Sequence, residues 1–295
     1  MNEAKLRRLA PVMVITAASC WGMIGIFSRN LSRLGFSSIQ STCMRAIITA
    51  VLLALFLALH DRKLLRISKK ALPWAVLSGT ASIAFFNVCY MQAIELLPLS
   101  LAVLLLYTAP AIVLVLSRLL FKEDLGKRKL IALGLSLVGC ALVCGVAGGG
   151  VKVTPVGLLW GLGAGFGYAL YSIFSHYGLP HCHVLTYILY TFVFAGLALL
   201  PLSQPTQLLS LCLQPQSILF LLLIATVSTA VPYLLYTEAL LFMPAGKASV
   251  TAFAEPLVAT LCGVVVFHEA LTLSIICGMG LIFVSLLLIN SKQNA

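Results

Sequence analysis

Charged residues are scarce in this 295-residue chain: they make up 9% of it, and only eight residues are acidic. A soluble domain carries about 25% charged residues, so this composition excludes an ordinary soluble fold. Hydrophobic residues account for 61% of the chain, and the mean hydropathy is +1.08. We therefore predict a polytopic membrane protein.

Motifs that indicate catalysis are missing as well. The glycine-rich run from Gly161 to Gly167 lies in an apolar segment and lacks the Lys and Ser/Thr of a phosphate-binding loop. No nucleophile elbow, zinc-protease helix or Asp-rich metal motif is present, and the nine cysteines form no disulfide pattern. The three histidines and one cysteine between His176 and His183 lack the spacing of a known zinc site, and we interpret them as ordinary loop residues. We predict no enzyme activity, no cofactor and no bound metal.

What the sequence does contain is a series of long apolar segments. Each is long enough to cross a hydrocarbon core of about 30 Å. We expect helices, because the segments lack the alternating pattern of a barrel and lipid leaves no partner for unpaired backbone groups. The ten predicted spans are 11–28, 39–59, 73–94, 99–120, 130–147, 156–175, 184–201, 217–242, 247–267 and 271–290.

An internal repeat organises these spans. Residues recur 146 positions later, as in the pairs Tyr90 and Tyr236, Pro110 and Pro256, Glu123 and Glu269, and Gly134 and Gly280. Near the start of each copy the offset is 147, which pairs Trp21 with Tyr168. The repeat predicts two five-helix units, 1–148 and 149–295. Because five is odd, the second unit enters the membrane from the other side, which is the inverted-repeat plan of secondary transporters.

The distribution of Lys and Arg predicts the orientation. With the N-terminus inside, cytoplasmic segments hold fifteen of these residues and outer segments hold three, among them Lys152. Both termini are therefore assigned to the cytoplasm. The formal charge of +11 is explained by this asymmetry, with basic loops against lipid headgroups rather than nucleic acid. We expect a multi-pass protein of the plasma membrane, in a bacterium the inner membrane.

Two stretches resemble a known family. APAIVLVLSRLLFKE at 109–123 and AEPLVATLCGVVVFHE at 254–269 are similar to EamA-domain proteins of the drug/metabolite transporter superfamily. The resemblance covers essentially the whole chain and implies ten helices that move a small solute without ATP. We expect a secondary exporter of metabolites such as amino acids or amines that works by alternating access. A passive channel-like facilitator and a membrane sensor remain alternatives, and the oligomeric state is left open.

Polar side chains at membrane depth are the candidate site residues, because each is costly there. Glu255 lies near the midplane, and spacings of four place Lys247, Thr251 and Glu255 on one helix face. We expect Glu255 to pair with a cationic group of the substrate or to bind a coupling proton. Arg45 binds a substrate carboxylate or pairs with Glu255. The other substrate-binding or coupling candidates are Tyr236, Tyr90, Gln92, Glu238, Asn87, Tyr107 and Trp21.

Prolines supply the candidate hinges. Pro110 and Pro256 occupy equivalent positions in the two units, and Pro232 lies near the middle of the eighth span. A proline in a membrane helix exposes carbonyls that can face a cavity or permit bending. We also expect the polar faces of the third and eighth spans to meet across the pseudo-two-fold axis, and Glu123 and Glu269 to begin helices.

Overall fold

The computed structural model describes residues 3–145 and 154–291, and these are arranged as an all-helical bundle. The predicted boundary between positions 148 and 149 and the cations Lys152 and Lys292 lie outside the described residues. The helices of the first half are α1 (Glu3–Gly22 and Ile24–Arg33), α2 (Ser38–His60), α3 (Leu72–Leu77, Ser78–Ala84 and Phe85–Leu96), α4 (Leu99–Leu106 and Ala109–Phe121) and α5 (Lys127–Val143).

The second half follows the same order. Its helices are α6 (Pro155–Gly178), α7 (Val184–Leu199), α8 (Pro215–Ala225, Thr226–Ala230 and Val231–Ala239), α9 (Ala245–Thr251 and Ala254–Phe267) and α10 (Leu273–Asn290). A short helix, Pro205–Cys212, precedes α8. Within the described ranges nine helices are long and apolar enough to cross a membrane. The tenth, α5, has 17 residues and a length of about 26 Å. The predicted fold class, ten helices in two inverted five-helix repeats, is confirmed.

Because the number of spans is even, the start of α1 and the end of α10 lie at one face of the bundle, which we call the termini face. The ends of α4 and the start of α9 also lie there, as the contact between Glu123 and Ala245 shows. The other face, which we call the opposite face, carries the end of α1 and the end of α9, joined by Arg29 and Glu269. These two names describe the bundle alone and assign neither face to a cell compartment.

The packing of the helices repeats with the sequence. The last segment of α3 packs against α6, and the equivalent segment of α8 packs against α1. Helices α5 and α10 run antiparallel and touch where Gly139 faces Gly278. The expected meeting of α3 with α8 is wrong, since each packs mainly on a different helix. The last segment of α3 therefore lies in an interface with α6, and that of α8 lies in a separate interface with α1.

Both α3 and α8 contain a wide π-helical turn. These turns, Ser78–Ala84 and Thr226–Ala230, overlap when shifted by 146 positions. In α3 the hydroxyl of Ser82 donates to the carbonyl of Gly167 at 2.7 Å, and in α8 Ser228 donates to Cys20 at 2.9 Å. Wide turns of this kind are rare in helices and often mark functional segments.

Helices α4 and α9 are interrupted at equivalent places. Helix α4 breaks at Tyr107–Thr108, two to three residues before Pro110, and α9 breaks at Ala252–Phe253, three to four residues before Pro256. A proline has no N–H and its ring crowds the preceding turn, so in α9 the carbonyl of Ala252 instead accepts from the N–H of Glu255 at 2.9 Å. The breaks give Pro110 and Pro256 the geometry of hinge positions, and their motion stays a prediction.

The glycine-rich run of α6 brings neighbouring helices close. A Cβ at Gly161 would meet the side chain of Leu105 in α4, and one at Gly167 would meet the backbone of Phe86 in α3. Without a hydrophobic driving force between helices in lipid, such close approach is a main source of packing energy. The run therefore positions α6 against α3 and α4.

Candidate functional site: a central cavity with two charged groups

A cavity of about 500 Å³ extends from the opposite face into the middle of the bundle. At its mouth lie Arg29 and Glu269, and at its inner end lie Trp21, Tyr168 and Glu255. Drug-sized and smaller ligands occupy cavities of about 300–1,000 Å³, so a metabolite fits this space.

The path toward the termini face is narrow. Two pockets of about 20 Å³ each adjoin the cavity beyond Tyr168, and each has room for about one water molecule. Around them Phe253 and Tyr236 are buried, with 1% and 5% of their surface exposed. The structure is therefore open toward the opposite face and closed toward the termini face.

Glu255 is positioned by the break in α9. It is the second residue of the segment Ala254–Phe267, directly after the irregular turn that Pro256 imposes. Its carboxylate lines the cavity and accepts a hydrogen bond from the hydroxyl of Tyr168 at 3.2 Å. No cation contacts it among the ion pairs of the described residues.

Arg45 lies on α2 and lines the same cavity, with 8% of its surface exposed. Within residues 3–145 and 154–291 its guanidinium has neither a carboxylate partner nor a hydrogen bond. The ion pair with Glu255, one of the two alternatives that the sequence left open, is not formed in this conformation. A nearly buried cation without a partner is costly, and the cost falls when an anion binds.

Aromatic rings separate the two charged groups from the rest of the bundle. The ring of Trp21 lies edge-on to Tyr233, with centroids 5.4 Å apart, and edge-on to Tyr168 at 6.5 Å. Tyr233 lines the same cavity as Arg45. The cavity wall thus offers aromatic surface suited to an organic cation.

Polar groups of α2 and α3 complete the wall. Asn87 and Tyr90 line the cavity, and the side-chain oxygen of Asn87 accepts a hydrogen bond from Thr42 at 3.2 Å. The amide of Asn87 donates to the carbonyl of Ile83 at 2.8 Å, which fixes the orientation of the side chain. Tyr107, from the break in α4, closes the wall beside Glu255.

Several candidates lie away from the cavity. Thr251 is fully buried and donates to Asn290 on α10, because the break at Ala252–Phe253 turns it away from Glu255. The expectation that Thr251 and Glu255 share a face is therefore wrong. Neither Gln92 nor Glu238 lines a described pocket, and Tyr236 lines only the two narrow ones.

Other sequence expectations also change. Tyr168, which donates to Glu255, was not a candidate, although its repeat partner Trp21 was; applying the offset of 147 to Trp21 identifies it. His176 belongs to α6 and stacks on Phe121 at 3.7 Å between ring centroids, so it is not a loop residue.

The described residues include no group of three side chains that could hold a metal ion.

Comparisons with known proteins agree with this architecture. The model of the EamA-like transporter family matches residues 8–145 and again 155–291. An uncharacterized transporter of Archaeoglobus fulgidus is 28% identical over 95% of this chain and 96% of its own length. The uncharacterized inner membrane transporter YicL of Salmonella typhimurium is 24% identical over 94% of this chain and 93% of its own. A crystal structure matches with a TM-score of 0.78 over 95% of both chains at 17% identity, which supports the fold alone.

Proposed function

Because the chain belongs to the EamA-like transporter family, we propose that it is a secondary transporter that exports amino acids or related amines by alternating access. The observation that carries this proposal is the pair Arg45 and Glu255, which line one cavity and have no ion-pair partner among the described residues. A zwitterion places its carboxylate on Arg45 and its ammonium on Glu255. Each contact relieves the cost of a charge held away from bulk water.

The substrate carboxylate suits Arg45 for a geometrical reason. A guanidinium offers parallel N–H donors that match both oxygens of a carboxylate, and such bidentate pairs are among the strongest hydrogen bonds in proteins. The ammonium suits Glu255, whose carboxylate and neighbouring Trp21 and Tyr168 together favour a cation. The cavity of about 500 Å³ leaves space for an amino-acid side chain.

Glu255 also provides a means of coupling. One carboxylate holds a proton or an ammonium, but not both, so the two ligands exclude each other. A carrier that returns only with one of them exchanges a proton for a substrate molecule. An inward proton gradient then drives the substrate outward. Each turnover moves one positive charge into the cell when the substrate is a zwitterionic amino acid, and no net charge when it is a cationic amine.

The same proposal assigns the faces. Among the described residues, fourteen Lys and Arg lie in the segments at the termini face and two in those at the opposite face, so the termini face is cytoplasmic under the positive-inside rule. The conformation described here is then the outward-open state of an inner membrane protein.

The test uses the reconstituted protein and solid-supported-membrane currents under a proton gradient. The panel pairs each amino acid with the amine that lacks its carboxylate and with the acid that lacks its ammonium. We expect saturable currents for amino acids, lost in Glu255→Gln. The exposed residues Glu95 and Arg33 provide matched controls, Glu95→Gln and Arg33→Gln. A current that does not saturate would indicate a channel, and equal responses to acids and amino acids would contradict the role of Glu255.

A further inference from the structure

Glu123 makes the contact that joins the repeats at the termini face. It follows Lys122, whose left-handed backbone (φ 58°) ends α4 and turns the chain toward α9. The carboxylate of Glu123 accepts hydrogen bonds from the backbone N–H of Ala245 at 2.9 Å and of Gly246 at 3.3 Å. Its side chain is 13% exposed, with Lys129 at 3.6 Å. Contrary to the sequence expectation, Glu123 does not begin a helix, since α5 starts at Lys127.

Glu269 is the repeat partner of Glu123 at the opposite face. It follows His268, which has the same left-handed backbone (φ 54°) at the end of α9. The side chain of Glu269 is 51% exposed and accepts a hydrogen bond from Arg29 at 2.7 Å. The guanidinium of Arg29 also lies 4.0 Å from the ring of Phe267. The two glutamates thus have equivalent backbones and different partners.

The repeat identifies the groups that Glu269 leaves unbound. A shift of 146 positions maps Ala245 and Gly246 onto Leu99 and Ser100, the first residues of α4. Leu99 is 61% exposed and lines the mouth of the cavity. In the part of the chain that the structure describes, no acceptor is found for the backbone N–H of Leu99 or Ser100. The open face therefore has the same two donors as the closed face, but its glutamate is turned away.

The side chains at the equivalent position beside each glutamate show the complementary difference. The offset of 147 pairs Arg29 with His176, and Phe267 corresponds to Phe121. At the open face Arg29 holds Glu269. At the closed face His176 stacks on Phe121, and among the described ion pairs none joins it to Glu123. At the closed face Glu123 thus binds two amide groups and lies beside Lys129, whereas at the open face Glu269 binds Arg29 and neither equivalent amide group.

We propose that Glu123 and Glu269 are positioning residues for transport that act as alternating latches. When the opposite face closes, Glu269 leaves Arg29 and accepts the N–H groups of Leu99 and Ser100. At the same time Glu123 leaves Ala245 and Gly246 and turns toward His176, which opens the termini face. This inference rests on the alternating access of the proposed function.

The exchange rates of the backbone amides measure directly whether each glutamate is bound to its two N–H groups. The full-length protein in lipid nanodiscs is labelled without substrate, and the exchange of Leu99, Ser100, Ala245 and Gly246 is measured by mass spectrometry with residue resolution. In Glu123→Gln we expect the amides of Ala245 and Gly246 to exchange about tenfold faster, equivalent to about 1.4 kcal/mol. Because the closed termini face loses a stabilising contact, the amides of Leu99 and Ser100 should become slower to exchange.

The second variant reverses the pattern. In Glu269→Gln the amides of Leu99 and Ser100 should exchange faster, because the contact that closes the opposite face is weakened. The amides of Ala245 and Gly246 should exchange more slowly, because the conformation with a closed termini face becomes more populated. Arg29→Gln should slow the exchange of Leu99 and Ser100, since it releases Glu269. Asp124→Asn, next to Glu123 but exposed, is the control and should change neither segment.

The latch proposal is tested by whether a substitution at one face changes amide exchange at the other face. If each variant changes exchange only at its own face, with thermal unfolding preserved, the glutamates are local helix contacts and the latch proposal is overturned. A correct latch with no amino-acid current would instead contradict the proposed substrate alone, because the exchange experiment contains no substrate. Coupled exchange together with normal currents supports both proposals.

Discussion

The two repeats share the same backbone irregularities but differ in the charged residues that they contribute to the middle of the cavity. Both carry a wide turn, a broken helix before a proline and a left-handed residue before a glutamate. Yet Glu255 corresponds to Ala109 in the first repeat, and Arg45 corresponds to Thr191 in the second. Each charged group thus faces the cavity from one repeat only.

This difference indicates which properties need symmetry. Under the proposed alternating access, opening one face while closing the other requires two equivalent frameworks, and the elements that we propose to bend and latch do occur in both repeats. Binding a substrate with two unlike ends requires an asymmetric site. Thr191 and Ala109 are uncharged and buried, so neither position supplies a second charge to the cavity.

The strongest test of this comparison makes the repeats equal at Glu255. Glu255→Ala introduces the residue that the first repeat has at this position. We expect the initial transport rate to fall about 100-fold, because the loss of a charged hydrogen-bond partner costs about 1.5–3 kcal/mol. Radiolabelled uptake into proteoliposomes measures it, with Glu95→Ala as the control. Transport at more than half the parent rate would remove Glu255 from the site.

A smaller effect is expected when Arg45 is replaced by the residue of the other repeat. Arg45→Thr should raise the KM for an amino acid about tenfold and leave that of the matching amine nearly unchanged, because only the carboxylate contact is lost. Competition uptake with amino acid and amine pairs gives the ratio, and Arg33→Thr controls for the change in charge. An equal rise for both ligands would indicate a structural role for Arg45 instead.

The sequence was sufficient for the fold and for part of the site. Lipid offers no partner for unpaired backbone groups, so apolar runs predicted the spans, and the repeat predicted which helices are equivalent. The first helix, 3–33, extends further at both ends than its predicted span. The prediction of which residues lie on the same side of a helix failed where a helix is irregular. Thr251 and Glu255 obey helical spacing only in an unbroken helix, and the break before Pro256 turns them apart. Tyr168 was missed because a tyrosine in an apolar span gives no signal of its hydrogen-bond partner.

The interface of α5 with α10 allows the repeats to be compared in packing. A Cβ at Gly139 would lie 2.7 Å from the carbonyl oxygen of Gly278, whereas Gly134 and its repeat partner Gly280 have open space. Gly139→Ala should therefore destabilise the protein by about 1–3 kcal/mol through overpacking. Gly134→Ala and Gly280→Ala should each stabilise it by about 0.5–1 kcal/mol, because Gly is unfavourable in a helix. Thermal unfolding in detergent measures all three, and a stabilising Gly139→Ala would show that the helices separate easily.

The smallest predicted effect concerns the two wide turns. Ser82→Ala and Ser228→Ala each remove one hydroxyl that donates to a carbonyl of a neighbouring helix. Each should lower the free energy of unfolding by about 1 kcal/mol, the usual value for one hydrogen bond. If the turns are equivalent parts of one framework, the two losses should agree within experimental error and both variants should change the transport rate in the same direction. A loss confined to one repeat would show that the halves differ in their mechanics as well as in their charges, and that the asymmetry of the cavity extends into the helices that move.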